Sequence, residues 1–567
     1  MDKKNKLTGY PSIDRPWLKY YREDIFKLPL PETTIYHYIW EKNKDCLEDL
    51  SIQYMGVDIS YKELFHNIDK TAAAFAALGV KQGDVVVVAL PNTPENIYCI
   101  YALNKLGAIA DMVDLRSKGD VLVHYLGEAD AKIAVVCDLF IDNVMQAVKE
   151  TNVKKVVVAS LQESLAVQQK FVDKMKLPEC ALLWKQFMEM GELFEVTAVG
   201  KSEDTACIFH TSGTTGVPKG VMLSNRSFNM MALQIAESGL RFDYGKVIMN
   251  QVPPFLAYNC MCSMHLPFSQ HMQMILLPQY QPEKFAENII RTKASCCVAG
   301  PADWGNFLEN KELMGKAVDL SGLVSAISGS DAMPLKTKDA VNALLNEKGS
   351  EARVLEGYGM TEIGSAACAN MPQFNVDASV GIPLPFNNFC IYDNETDSEL
   401  PYGESGEICM TGPTLMQGYY KNEVETNNVL KIHEDGLTWL HSGDLGHMDE
   451  NGSVYIEGRL KRIIVRYDGI KISPFMIEKI IMAHSNVVAC CVVGSFDKQH
   501  GRGQTPAAFI VFNNGSSDSV DSIRKYCENE IGVDYLPSVY KAIESLPLTE
   551  NGKVDYLRLE KMANEQN

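Results

Sequence analysis

The chain has 567 residues, 46% of them hydrophobic, enough for a sizeable core and for more than one domain. Its 53 basic and 72 acidic residues leave a net charge of −19, which excludes a broad cationic footprint and with it non-specific nucleic-acid binding. No stretch reaches the apolar length of a transmembrane segment, although peripheral membrane contact stays open, and the basic opening residues lack the apolar core of a secretory signal. The 15 cysteines include no CxxC pair and read as reduced core thiols of a cytoplasmic protein.

In chain order, the first forty or so residues, with Pro16-Trp17-Leu18-Lys19-Tyr20-Tyr21, read as a surface-packed lead-in. Residues 85–91 (VVVVALP), a helical stretch to Leu106 and residues 107–113 (GAIADMV) predict a strand–helix–strand unit. The rhythm returns at 131–138 and 153–159, which predicts a mostly parallel sheet flanked by helices. A second run over 208–383 alternates in the same way. Residues 386–458 break into short strands, as in a small β-barrel or sandwich, and the remainder reads as a small α+β domain. The expected fold is therefore α/β: a large domain over 1–458, with two mostly parallel βα subdomains and a small β-barrel, followed by an α+β domain over 459–567. Within the latter, the pairs Asp518-Ser519 and Asp521-Ser522 predict a helix cap.

Residues 210–220 read His-Thr-Ser-Gly-Thr-Thr-Gly-Val-Pro-Lys-Gly, directly after the apolar run 206–209. A strand that opens into such a loop exposes backbone N–H groups and hydroxyls on one concave side, and glycines let the backbone approach a phosphate chain. Lys219 adds a point charge. The spacing is not that of the GxxxxGK[ST] loop, which excludes that class of nucleoside triphosphatase.

The string TSGTTGVPKG resembles the phosphate loop of the adenylate-forming superfamily, which comprises acyl- and aryl-CoA synthetases, peptide-synthetase adenylation domains and luciferases. The resemblance runs in order from about residue 35 to the C-terminus, and is greatest to bacterial medium- to long-chain fatty acyl-CoA ligases. It implies an ATP- and Mg²⁺-dependent ligase that joins a carboxylic acid to CoA through an acyl-adenylate. It further implies that Thr211, Ser212, Gly213, Thr214, Thr215, Gly216 and Lys219 hold phosphates. Gly357-Tyr358-Gly359-Met360-Thr361-Glu362 resembles the family's next motif; Tyr358 would stack on adenine, Thr361 would meet the α-phosphate, and Glu362 with Thr214 would hold Mg²⁺. Ser328-Gly329-Ser330 aligns with the segment beside the adenine, although the family usually has glycine where Ser330 stands. Asp444 would accept from the ribose hydroxyls and Arg459 would contact ribose or phosphate.

The resemblance also implies a mobile C-terminal domain that turns about Lys461. Lys553 would serve adenylation from a loop marked by Asn551-Gly552, and Gly469-Ile470-Lys471 would enter the site for the thiol step. Residues 459–471 contain five basic residues and one acid, Asp468; such a run usually reads as a solvated basic loop, and its place beside a domain boundary raises the alternative of a cationic surface near the phosphates of ATP or CoA. Ala257, Tyr258, Cys260, Met264, Trp304, Ser330 and Met360 are candidates for the acid pocket, and each fits ordinary core packing equally well. Residues 251–270 contain no acid, which argues against an α-amino acid substrate, since its ammonium would be buried unpaired. A fatty acid is expected, with an aryl acid as the competitor. A carrier protein acting in trans in place of CoA, and a catalytically dead nucleotide- or lipid-binding protein, are the other readings.

Overall fold

The structure, a computed structural model, describes residues 7–165, 177–192, 194–211, 218–315, 318–513, 519–548 and 554–565. By compactness the chain divides into a larger unit, Arg15–Phe389 with Met410–Leu440, and a smaller one, Met1–Asp14 with Cys390–Cys409 and His441–Asn567. Among the described residues no helix is long and apolar enough to cross a membrane, and all 15 cysteines are free thiols, most of them buried.

Two sheets organise the larger unit. The first has eight strands, in the order Gly418–Tyr419, Lys219–Ser224, Thr205–Thr211, Ile109–Met112, Val85–Ala89, Ile133–Cys137, Lys155–Ala159 and Ala181–Leu183. From Thr205–Thr211 onward the pairing is parallel. Its central strands are continuous runs of Val, Ile and Ala because both faces are covered, where β-branched side chains pack best. Helix Pro94–Lys105 is buried along its whole length; Pro94 begins it and the Thr93 hydroxyl accepts from the Asn96 N–H. The second sheet has nine strands, and within it Cys296–Ala299, Ser325–Ser328 and Val354–Tyr358 lie side by side and parallel.

The lead-in is more deeply packed than a surface reading allows. Trp17 is fully buried, and the Tyr21 hydroxyl donates to the Pro383 carbonyl at 2.8 Å.

In the smaller unit, strand Val487–Phe496 pairs antiparallel with Gln504–Phe512, which pairs parallel with Val539–Ala542. Ile510 on its central strand, Ile477 and Ile523 on helices Pro474–Met482 and Val520–Glu530, and Ile464 form its core with Val492 and Cys527. Ser519 is the N-cap of helix Val520–Glu530 but makes no side-chain cap hydrogen bond; the Ser522 hydroxyl donates instead to the Ser519 carbonyl at 2.7 Å. The expected cap therefore has the right place and the wrong bond, and Asp518 lies outside the described residues.

Candidate functional site

Strands Thr205–Thr211 and Lys219–Ser224 pair antiparallel, with His210 opposite Gly220 and Thr211 opposite Lys219. These two strands, a hairpin pair, thus flank the polar string in sequence. Ser212, Gly213, Thr214, Thr215 and Gly216 lie outside the described residues. Gly220 is required by space: a Cβ there would stand 2.9 Å from Ile208 Cγ2 and 3.4 Å from His210 Cε1. Lys219 Nζ donates to Glu425 Oε2 at 3.1 Å and stands 4.3 Å from the centroid of the Tyr419 ring. The Tyr419 hydroxyl in turn donates to Glu362 Oε1 at 2.8 Å. Burial, then the Glu362 charge, pushes this phenol far above its ordinary range, so it stays a neutral donor. Lys219 and Glu362, far apart in sequence, are thereby linked through Tyr419, which no motif had singled out.

Asp111 was missed as well. Its Oδ1 lies 2.6 Å from His210 Nε2, and both side chains are buried. His210 Nδ1 is also buried, with no partner among the described residues. An acid inside the apolar strand GAIADMV was the available signal.

The parallel strands bring Ala299, Ser328 and Glu356 into register. Gly300, Gly329 and Tyr358 therefore emerge at one sheet edge, the carboxyl end where open α/β sheets bind ligands. Gly359 has no alternative, because a Cβ there would lie 2.0 Å from the Ser365 carbonyl oxygen. Met360 is extended, and Thr361 and Glu362 form the turn Thr361–Ile363, with the Glu362 side chain buried. Ser330 adopts φ +75°, the left-handed region that favours glycine.

Among the pocket candidates, Ala257 is buried just before Tyr258, and the π-helix Asn259–His265 carries the fully packed Cys260 and Met264. The π winding shows in the Leu266 N–H, which donates to the Met261 carbonyl. Asn259 Nδ2 donates to Asn250 Oδ1 at 2.8 Å and to the Val252 carbonyl, which ties the start of this helix to the adjoining strand end. Tyr258 OH and Ser328 Oγ are buried without a partner among the described residues. Tyr258 OH would also lie 2.9 Å from a Cβ on Gly329. Trp304 sits in the core against Phe285 and Phe307, its indole N–H donating to the Ile327 carbonyl at 3.3 Å. The segment 251–270 lacks an acid, yet Gln251 Nε2 donates to buried Asp303 at 2.9 Å. Burial pushes the Asp303 carboxyl up to about 6. Asp303 is already engaged, accepting the Gly300 N–H at 2.8 Å as the cap of helix Pro301–Glu309.

In the smaller unit, the antiparallel pairing of residues 444–448 with 454–459 sets Asp444 opposite Arg459. Asp444 is buried and its Oδ1 lies 2.7 Å from Arg459 Nε. The turn before it is held by Glu407, which accepts from the Gly443 N–H at 2.8 Å and lies 2.7 Å from His441 Nδ1. Burial alone would raise the Glu407 carboxyl, but His441, Asn394 and Gly443 together hold it below its ordinary range.

The expected cationic surface over 459–471 is not what forms. Arg459 pairs with Asp444, Arg462 with Glu478, Arg466 with Asp468 and Lys471 with Glu395. Three of those acids come from outside the run, so counting charge along it overstated its field. Lys461 lies exposed on the turn Leu460–Arg462. Gly469 adopts φ +88° in the turn that leads through Ile470 to Lys471. Lys553 lies outside the described residues.

Residues 40–420 match the family model of the AMP-binding enzyme, and residues 476–553 that of the AMP-binding enzyme C-terminal domain. The chain is 29% identical to a long-chain-fatty-acid–CoA ligase of Bacillus subtilis (strain 168), over 96% of this chain and 97% of that protein. It is 28% identical to the 4-coumarate–CoA ligase CCL1 of Humulus lupulus, over 94% of this chain and 95% of that protein. Among solved structures, the anthranilate CoA ligase AuaEII in complex with anthranoyl-AMP superposes with a TM-score of 0.82 at 20% identity, over 95% of this chain and 99% of that one. ATP-bound MatB from Rhodopseudomonas palustris superposes with a TM-score of 0.79 at 24% identity, over 93% and 98%. At these identities the two structures speak for the fold.

Proposed function

As a member of the AMP-binding enzyme family the chain is an acid–thiol ligase, and we propose that its substrate is a medium- or long-chain fatty acid. The carboxylate attacks the α-phosphate of ATP to form acyl-AMP and pyrophosphate; the CoA thiol then attacks the acyl carbon, forming acyl-CoA and releasing AMP. The observation that carries the nucleotide part of this reading is the chain Lys219–Tyr419–Glu362, which joins the hairpin of the polar string to the Gly359 turn.

We assign the phosphates to that hairpin and to Thr361, the adenine to Tyr358 and the segment 328–330, and the ribose to Asp444 with Arg459. Lys553 serves adenylation. Lys461 is the hinge at a domain boundary between Gly458 and Arg459, and residues 469–471 serve the thiol step. Glu362 suits Mg²⁺, because its buried carboxylate is a hard oxygen ligand and its Tyr419 partner is a neutral hydroxyl that leaves its charge uncancelled. Glu362, with Thr214, would hold the ion, and the ion would offset charge collecting on the α-phosphate.

For the acid, the apolar Ala257, Cys260 and Met264 and the lack of an acid across 251–270 favour an alkyl tail. The Bacillus relative agrees in name. A second reading, an aryl acid, draws on Tyr258 OH and Ser328 Oγ, buried donors that a polar ring substituent would satisfy. The free thiols and the use of ATP and CoA fit a cytoplasmic enzyme.

Pyrophosphate release, screened over fatty acids of increasing length and over aryl acids, with and without CoA, separates these readings. CoA-dependent turnover on alkyl acids supports the proposal, and turnover on aryl acids alone replaces it. Release that a holo-carrier protein accelerates and CoA does not points to a carrier acceptor; no release with any acid returns the dead-enzyme reading. Lys553→Ala should lose adenylation while preformed acyl-adenylate still reacts with CoA. Equal loss of both half-reactions would remove the assigned role.

A further inference from the structure

Apart from every residue given a role above, the loop after helix Ile35–Asn43 meets the turn before strand Gln273–Leu276. Three ligand types converge there. The Cys46 thiol, the Asp49 carboxylate and the His271 imidazole each present one ligand atom, all within 4.8 Å of one another.

His271 is aimed at this point by its surroundings. Its backbone holds φ +53°, and its buried ring is stacked between Tyr61 and Tyr244 at centroid distances of 4.7 and 4.6 Å. Nδ1 lies 2.6 Å from Asn43 Oδ1. The Asn43 amide nitrogen donates to the Ile39 and Phe268 carbonyls at 2.6 and 2.8 Å, which fixes the amide so that its oxygen faces the ring. Nδ1 therefore carries the hydrogen, and Nε2 is the atom presented to Asp49 Oδ2 at 2.9 Å. Metal-ligating histidines are held this way, the remote nitrogen donating to a fixed acceptor while the near one faces the ion. The Tyr244 hydroxyl closes a fourth side, 3.3 Å from Asp49 Oδ2 and 3.8 Å from Cys46 Sγ.

We propose that Cys46, Asp49 and His271 bind a divalent cation of the zinc class. One sulfur, one nitrogen and one oxygen form a mixed set suited to a borderline-soft ion and unsuited to Mg²⁺ or Ca²⁺. Ligands sharing a tetrahedral Zn²⁺ stand roughly 3.5 Å apart, given its bond lengths. The set must therefore close slightly, and half-buried Cys46 and the 57% exposed Asp49 side chain have the freedom to do so. Binding forms a metal–sulfur bond and releases the thiol proton to water. The ion would tie the loop before strand Leu50–Tyr54 to the turn before its parallel partner Gln273–Leu276, stapling the edge of the nine-stranded sheet.

The test is a Co²⁺ titration of reduced, chelator-stripped protein, followed by absorption, with Zn²⁺ competition and thermal melts alongside. A single equivalent should bind with a thiolate-to-metal charge-transfer band, Zn²⁺ should displace it, and the melting temperature should rise. Cys46→Ser should abolish the band. Asp49→Asn should keep the band and weaken binding by at least about 10-fold, since loss of a charged ligand should cost no less than loss of an outer hydrogen-bond partner. A melt of each variant without metal establishes that it is folded. No band in the parent protein, or a band that survives Cys46→Ser, overturns the proposal and leaves the cluster as a His271–Asp49 contact.

Discussion

Four carboxylates, two in each unit, are held by different means. In the larger unit Glu362 accepts from the Tyr419 hydroxyl, and Glu95 from the Ser164 hydroxyl at 2.5 Å, its second oxygen buried without a partner among the described residues. In the smaller unit Asp444 is met by Arg459 and Glu478 by Arg462. A hydroxyl orients a carboxylate and leaves its charge to be answered by something else, whereas a guanidinium answers it in place. The contrast separates positions open to a cation or a proton from positions that are complete.

The largest test of this contrast is Glu362→Gln. It keeps the Tyr419 contact and removes the charge, and adenylation should fall about 10²–10³-fold in a pyrophosphate-exchange assay. A variant that adenylates normally would show that the hydroxyl-held charge has no task. Next is Glu95. Burial pushes its carboxyl from the ordinary 4.5 up to about 7. Between those values the folded state keeps a proton that the unfolded state has lost, so stability falls as pH rises from about 4.5 to about 7. The loss is on the order of 3 kcal/mol, full above that window and absent below it. Glu95→Gln should flatten this dependence in urea midpoints measured across the window, and an unchanged slope would mean another group is responsible.

A smaller effect is expected from Arg459→Ala, which removes the guanidinium beside buried Asp444. A loss of about 2 kcal/mol fits a guanidinium that is itself half exposed, and Asp444→Asn in the same chain should restore much of it. Equal stability of all three proteins would erase the distinction between the units. The smallest effect belongs to Glu425→Ala. Lys219 and Glu425 are partly exposed, so chemical denaturation should report no more than about 0.5 kcal/mol, which would mark Lys219 as loosely held where Arg459 is not.

Much of the fold was legible because burial on both faces writes itself as uninterrupted Val and Ile, as at Val85–Ala89, Ile133–Cys137 and Lys155–Ala159. The polar string was legible in its residues, and the Gly359 turn through its resemblance to the family's motif. Tyr419, Glu425 and Asp303 were not, because each matters through a partner brought near only by sheet order, and a lone Tyr, Glu or Asp in sequence carries no such information. The run 459–471 failed for the same reason in reverse: its excess charge was real, and its partners at Glu395, Asp444 and Glu478 were out of view. Ser330 was noticed only as an oddity, and its left-handed backbone supplies the reason for glycine there.

The π winding of Asn259–His265 has a consequence for how such a protein diversifies. A π turn holds one residue more than an α turn, so deleting a single residue there restores α winding while the helix beyond keeps its orientation. Only side chains within the turn, Cys260 and Met264 among them, would be re-aimed, while the Asn259 anchor to Asn250 stayed fixed. One codon lost or gained at this place would thus re-aim one turn of side chains and spare the rest of the helix, a change that no single substitution makes.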